Sequence, residues 1–377
     1  MKPGRILERG YTLVELLVAM SIGLILVGAV IAAYVTQTQT YNATSSVAGT
    51  QSAENAIAAL VTPIVRATGF FGCLTNTQPI PNLNAGGSPP LQTLGTAPTL
   101  VYGYDASGTA GTGTITLTQN AVNDTTMTDW TSFAGTSGLD ASLSGQVEAG
   151  SDVLVMLGAA PGSEPASLVN PVTSGATSLT VVQSATSPVP FAVGQLVAVS
   201  DCSKTDVFPI STVAASGANT TLTLAAASGN PLATPVAGIY NAFAASSQLV
   251  PLQQTALYVA QGAGGQSVLT LAKYVNTGGT WGWQFLPLVP GVDTMQVLYG
   301  TGNPGTGAPS QYIPASAVTV AESIYSVRLA FLLEGQPGSA SASNPTSFTL
   351  LGTTVNVPTD TRQRRVYEMT INLRNAS

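Results

Sequence analysis

Residues 9–35 read RGYTLVELLVAMSIGLILVGAVIAAYV. From Tyr11 to Val35 there are 25 residues and a single charge, Glu15. As an α-helix this length spans roughly 37 Å at about 1.5 Å per residue, against a hydrocarbon core of about 30 Å. The segment can therefore cross a bilayer. The preceding ten residues carry Lys2, Arg5 and Arg9, which keeps the leader cytoplasmic and places the rest of the chain outside. The lone acid is the anomaly, because a charge deep in lipid is costly even on the lenient insertion scale and needs a partner. Three readings compete. A plain signal anchor would let Glu15 snorkel at the cytoplasmic end. A secretory signal would be cut after the run, but the run exceeds the usual apolar core of about 7–15 residues and no small-x-small site closes it. A signal cut before the run accounts for the basic leader, the position and the acid together.

The third reading has a family precedent. Gly10, Tyr11, Thr12, Leu13, Val14 and Glu15 behind a short basic leader resemble the opening of type IV prepilins, with Tyr11 standing where Phe is more usual. The resemblance implies cleavage after Gly10 by a prepilin peptidase and methylation of the new amino group of Tyr11. It also implies that Glu15 attracts that amine, usually on a neighbouring subunit. Opposite charges attract strongly at low dielectric, so Glu15 would set the register of docking into a filament.

Beyond the apolar run, residues 36–52 are polar. Ala56, Ile57, Leu60, Val61, Ile64 and Val65 then recur at helical spacing. The pattern predicts one helix from about Thr12 to Arg66, its second half (36–68) packing an apolar stripe on a globular domain, with Gly49 and Pro63 weakening or bending it. After 69-GFFGCLTNT-77 the pattern becomes strand and turn. Residues 79–98 read as loop. Strands are expected at Thr114–Thr118, Asp152–Leu157, Ser178–Val182, Leu196–Val199, Thr220–Leu224, Thr255–Val259, Val268–Ala272, Met295–Tyr299, Ile324–Leu332 and Arg365–Leu373. The segments 174-SGATSLTV-181 and 216-SGANTTLTL-224 echo one another as similar hairpin strands. Residues 300–317 and 335–347 are rich in Gly, Pro and Ser and read as mobile. The expected fold class is α+β: a long N-terminal helix carrying a large, mostly antiparallel β domain over 69–377, with a β-rich insertion over 160–235 as one subdivision.

Composition narrows the function. The chain has 377 residues, 45% hydrophobic and only 7% charged, where soluble domains average about 25% charged. This fits an exported protein. There is no His, which removes Ser-His-Asp and Cys-His catalysis. The net charge of -6 disfavours nucleic acid. No phosphate loop, no Ca²⁺ loop around Asp152, Asp201 or Asp206, and no zinc spacing is present. No cofactor or metal is expected, and the chain is not read as an enzyme. Tyr102, Tyr104, Trp130, Trp281 and Trp283 could build an adhesive surface, but aromatic residues in a β domain more often form core. Cys73 and Cys202 are the two cysteines. In an oxidising compartment they are expected to bridge, the other reading being two buried thiols. Closing a loop of roughly 130 residues would contribute on the order of 4–5 kcal/mol.

Three further segments sharpen the resemblance. Phe71-Gly72-Cys73, Val199-Ser200-Asp201-Cys202 followed by Phe208, and 364-RRVYEMTINLRN-375 look like the PilW group of minor pilins. That group is thought to prime pilus assembly and remain near the tip. The resemblance implies other minor pilins, the major pilin and the inner-membrane assembly platform as partners, with membrane lipid before assembly. It implies a single-pass inner-membrane location, then the pilus or cell surface. Loss of residues 1–10 would leave eight bases, four of them Arg362, Arg364, Arg365 and Arg374. These arginines are either a contact for an acidic partner or for DNA during uptake or, the favoured reading, an exposed strand whose stems cover apolar surface. The alternatives for the whole chain are a type II secretion pseudopilin, which shares the signal and Glu15, and a membrane-anchored adhesin or binding module, which needs neither.

Overall fold

The computed structural model describes residues 12–72, 80–81, 93–94, 97–98, 100–119, 122–160, 164–182, 191–224, 238–278, 280–303, 307–319, 323–340 and 345–373. A single helix, α1 (Leu13–Arg66), runs for 54 residues, about 80 Å at about 1.5 Å per residue. Its outer half touches nothing: the most apolar window is entirely exposed. Burial begins at Ser46 and Thr50 and continues through Ile57, Val61 and Val65. These positions recur every three to four residues and so form one stripe. Within the expected stripe, Leu60 remains 41% exposed on the flank. Pro63 lies in the last turn, where α1 ends as the Ala67 N–H donates to the Pro63 carbonyl.

The β domain is built from two main sheets. We label its principal strands β1 (Val101–Ala106), β2 (Val153–Ala159), β3 (Leu196–Ser200), β4 (Thr205–Ser216), β5 (Asn219–Leu224), β6 (Gln248–Gln261), β7 (Ser267–Thr277), β8 (Thr280–Pro290), β9 (Val292–Gly302), β10 (Ser323–Glu334) and β11 (Arg364–Asn372). A four-stranded antiparallel sheet has the order Gln311–Ile313, β9, β10, β11. The stripe of α1 lies against β8, β10 and β11, and Ile57, Val61 and Val65 share one core with Tyr258, Met295, Val327 and Phe331. The long strand β6 joins this core to a second one. Its first residues, Gln248–Pro251, pair with β3, while Leu252–Leu257 pair with β2.

The second core gathers Leu168, Leu179, Val199, Phe208, Leu222, Phe243 and their neighbours between Ala166 and Leu249. The two echoed segments are direct partners there. Ser178–Val182 runs antiparallel to β5, and the Thr180 and Thr221 hydroxyls meet at 3.2 Å. Nearly all the ladders are antiparallel. Ile80–Pro81 on β4 and Thr353–Asn356 on Thr114–Thr116 are parallel. Segments expected to be irregular also carry structure: Gln311–Ile313, within 300–317, is a strand, and Thr93–Leu94 pairs with Ala97–Pro98 within the expected loop 79–98.

Candidate assembly site

The membrane end of α1 is closed by its own sequence. Thr12 is the N-cap, and Thr12-x-x-Glu15 forms a reciprocal capping box. The Glu15 backbone N–H donates to Thr12 Oγ1 at 3.3 Å. Glu15 Oε2 accepts from the Thr12 backbone N–H and from its hydroxyl, each at 3.1 Å. The acid therefore sits at the positive end of the helix dipole and satisfies a terminal donor that lipid could not. Gly10 and Tyr11 themselves lie outside the described residues. The box was written in the sequence as T-L-V-E but was not part of the expectation for Glu15.

Around the cap the helix surface is bare and apolar: Leu13 is 79% exposed and Leu24 78%. Farther along, the polar stretch keeps its hydroxyls satisfied internally. Thr36, Thr38, Thr40 and Thr44 each donate to the carbonyl four residues back, at 2.9 Å.

The C-terminal arginines depart from the expectation of an exposed strand. Arg364 is buried, with 6% side-chain exposure. Its Nε donates to Asp293 at 2.6 Å, and its two terminal nitrogens hold both oxygens of Asp360 at 2.7 and 2.8 Å. Arg362 pairs with Glu334 at 2.7 Å. Arg365 reaches from β11 to Glu54 on α1 at 3.0 Å, close in distance though not aligned as a hydrogen bond. Arg364 is thus unavailable to an outside partner, and the other two are engaged within the chain. Arg374 lies outside the described residues. Burial raises the Asp360 carboxyl, but the hydrogen bonds from Arg364 and the Arg362 N–H outweigh it and leave Asp360 below the usual carboxylate range. Burial is the largest single influence on Arg364 and pulls its pKa down, but the hydrogen bonds and charges of Asp360 and Asp293 together outweigh it, so the guanidinium stays charged.

The acids weighed for calcium are occupied by the chain. Asp152 is buried and accepts from the Ala106 and Val297 N–H groups and the Thr109 hydroxyl. Asp206 accepts from the Tyr240 and Asn241 N–H groups and the Asn241 amide. Asp201 caps a turn at Ser203 and Lys204. Among the described residues no three such groups gather to hold a metal. Tyr102, Tyr104 and Trp130 are core. Trp281 and Trp283 are half-buried, packed around Tyr274, with indole N–H groups on the Val193 carbonyl and the Ser142 hydroxyl. There is no free cysteine among the described residues. Cys202 takes a positive φ of 27°, and Cys73 lies outside the described residues. A Cβ at Gly72 would stand 3.2 Å from Ser200 Cβ, two residues before Cys202.

A long helix, bare and apolar over its outer half and seated by its inner half on a β domain, defines a pilin-like subunit. Residues 256–375 match the PilW family, described as Type IV Pilus-assembly protein W. Residues 6–31 match the Prokaryotic N-terminal methylation motif. The two matches support a type IV pilin-like, PilW-type protein and indicate a structural component of a pilus. No curated protein matches the chain. Among solved structures, phage phi92 endosialidase aligns at 8% identity and a TM-score of 0.19, covering 71% of this chain and 49% of that one. The chain therefore spans about half the length of that structure, and no argument rests on it.

Proposed function

We propose that the chain is a minor pilin that primes assembly of a type IV pilus and stays at its tip. The precursor sits in the inner membrane by α1, with the β domain on the periplasmic side. Prepilin peptidase cuts after Gly10 and the new amine of Tyr11 is methylated. After extraction, the bare half of α1 packs among the helices of other minor pilins and the major pilin, and Glu15 fixes the register by meeting a neighbour's amine. Cys73 and Cys202 form a disulfide that pins the segment after α1 to the second core. The observation that carries this reading is the fully exposed apolar half of α1, which carries its acid at the cap and nowhere else. A simple anchor accounts for the apolar length and for the cap, but not for the likeness of residues 6–31 to the methylation motif.

The test is mass spectrometry of the N-terminal peptide from membrane and sheared-surface fractions. The expected peptide begins at Tyr11 and carries one added methyl group. A Met1 start in every fraction, in cells with active prepilin peptidase, would sink the filament reading.

A further inference from the structure

Behind the Arg362–Arg364 network lies an open cleft of about 500 Å³, solvent included, lined by Glu148, Ser267, Asp293, Glu334, Arg362 and Arg364 among others. Three acids and two bases face it. Glu334 is engaged by Arg362, and Asp293 by Arg364. Glu148 has no such base. It is only 7% exposed, its Oε1 accepts from the Ser267 hydroxyl at 3.1 Å, and its Oε2 is buried without any partner. Burial, followed by the nearby Asp293 and Glu334 carboxylates, raises its pKa to about 8 against the pull of Ser267. An oxygen buried without a partner is expensive; below about pH 8 the isolated chain holds Glu148 as a neutral carboxyl, and an ammonium seated against it would release that proton to solvent and pair with the carboxylate.

We infer that this cleft is a socket for one ammonium group, the side chain of a lysine on a neighbouring chain of the filament. The inference rests on the assembly reading above. The chemistry selects this occupant in three steps. One oxygen is vacant, not two, which suits a compact point donor better than the planar fork of an arginine. A hard divalent ion wants six or more oxygens, whereas no three acids gather for a metal among the described residues. The chain has no lysine of its own to offer beyond the leader. Lys204 is paired with Asp201, and Lys273 stands six residues along β7 from Ser267, about 20 Å at about 3.3 Å per residue.

The test is zero-length carbodiimide coupling of carboxylates to amines in native envelopes and sheared pili, read by mass spectrometry. The expected product joins Glu148 to a lysine of another chain. Glu148→Gln, which keeps the Ser267 contact, should remove this product, leave other couplings of the chain intact, and lower its recovery in sheared pili about tenfold or more. Its melting temperature should not fall, which separates lost docking from lost folding. Three results would overturn the socket. The first is coupling at exposed Glu368 with none at Glu148, in a chain that starts at Tyr11 and reaches the pili; the assembly reading then still stands. The second is a melting temperature of the purified full chain that rises with Ca²⁺ or Mg²⁺ in the wild type but not in Glu148→Gln, which reassigns the site to a metal. The third is a chain absent from pili altogether, where the assembly reading itself fails.

Discussion

Glu15 does two things that can be separated by substitution. As a cap it accepts hydrogen bonds from Thr12; as a charge it can meet an amine. Glu15→Gln keeps an acceptor at the same reach and removes only the charge. We expect this variant to insert and to be cleaved after Gly10, while its recovery in sheared pili, measured by immunoblot against the membrane fraction, drops at least tenfold. Thr12→Val removes the capping hydroxyl and keeps the charge; it should fray only the first turn and cost less than half the incorporation. A loss in Thr12→Val, with Glu15→Gln recovered in pili at the wild-type level, would make the cap, not the charge, the working feature. Glu148 carries a pH prediction for the isolated chain. Its folded pKa of about 8 stands above the ordinary glutamate value of 4.5, so between those values the folded state binds more protons than the unfolded one. Stability from this group is therefore fully present below about pH 4.5 and is lost as pH rises to about 8, at up to about 1.4 kcal/mol per pH unit. Denaturant midpoints of the full chain should fall over that window, and the fall should flatten in Glu148→Gln.

At the scale of elements, the sequence was most readable where one environment acts on a whole segment. The stripe Ile57, Val61, Val65 and the unbroken apolar run gave α1 nearly its observed bounds. Strands with one wet face, such as Ser178–Val182 and β5, alternate and were visible. The strand β1 was not, because all six of its residues are buried and nothing alternates. Its Gly103 reads as a breaker, yet it is there because the Tyr299 hydroxyl occupies the place of a side chain. The strand β8 was hidden by Gly282, Pro287 and Pro290; it pairs only with β7, and at an edge a missing N–H is tolerated. The ion network on β11 was the least legible, since Asp293 lies 71 residues from Arg364 in sequence. This arrangement makes two neighbouring arginines unequal. Arg364→Ala strands Asp293 and Asp360 and should destabilise the chain by about 3–5 kcal/mol. Arg365→Ala loses a half-exposed pair with Glu54 and should cost less than about 1 kcal/mol. Chemical unfolding followed by tryptophan fluorescence would rank them, and a reversed order would put the weight on the contact between helix and strand.

Among the described residues the two larger cores share one strand, and this explains why the division of the chain was hard to read from sequence. Both cores are lined mainly by Val and Leu from β strands, so composition marks no boundary between them. The crossing point falls inside β6, where Leu249 belongs to one core and Ala256 to the other. Only a few residues tie the cores at that point: Phe71, Leu157, Leu196, Ala198, Val207, Val250 and Leu252 form a small cluster between them. Phe71 belongs to the segment leaving α1, and Gly72 abuts Ser200 on β3. The proposed bridge from Cys73 to Cys202 would therefore fasten the second core to the base of the helix beside the same junction. Loop closure alone gives on the order of 4–5 kcal/mol for roughly 130 residues, and the location decides where the loss is felt. In Cys73→Ser/Cys202→Ser the main core, which holds α1 through Ile57, Val61 and Val65, should keep its protection. The amides of residues 196–224 should instead exchange with solvent much faster in hydrogen-exchange mass spectrometry. Non-reducing peptide mapping of the wild type should yield a linked Cys73–Cys202 peptide. If both amide groups lose protection together, the two cores unfold as one unit and the bridge stabilises the chain only through its unfolded state.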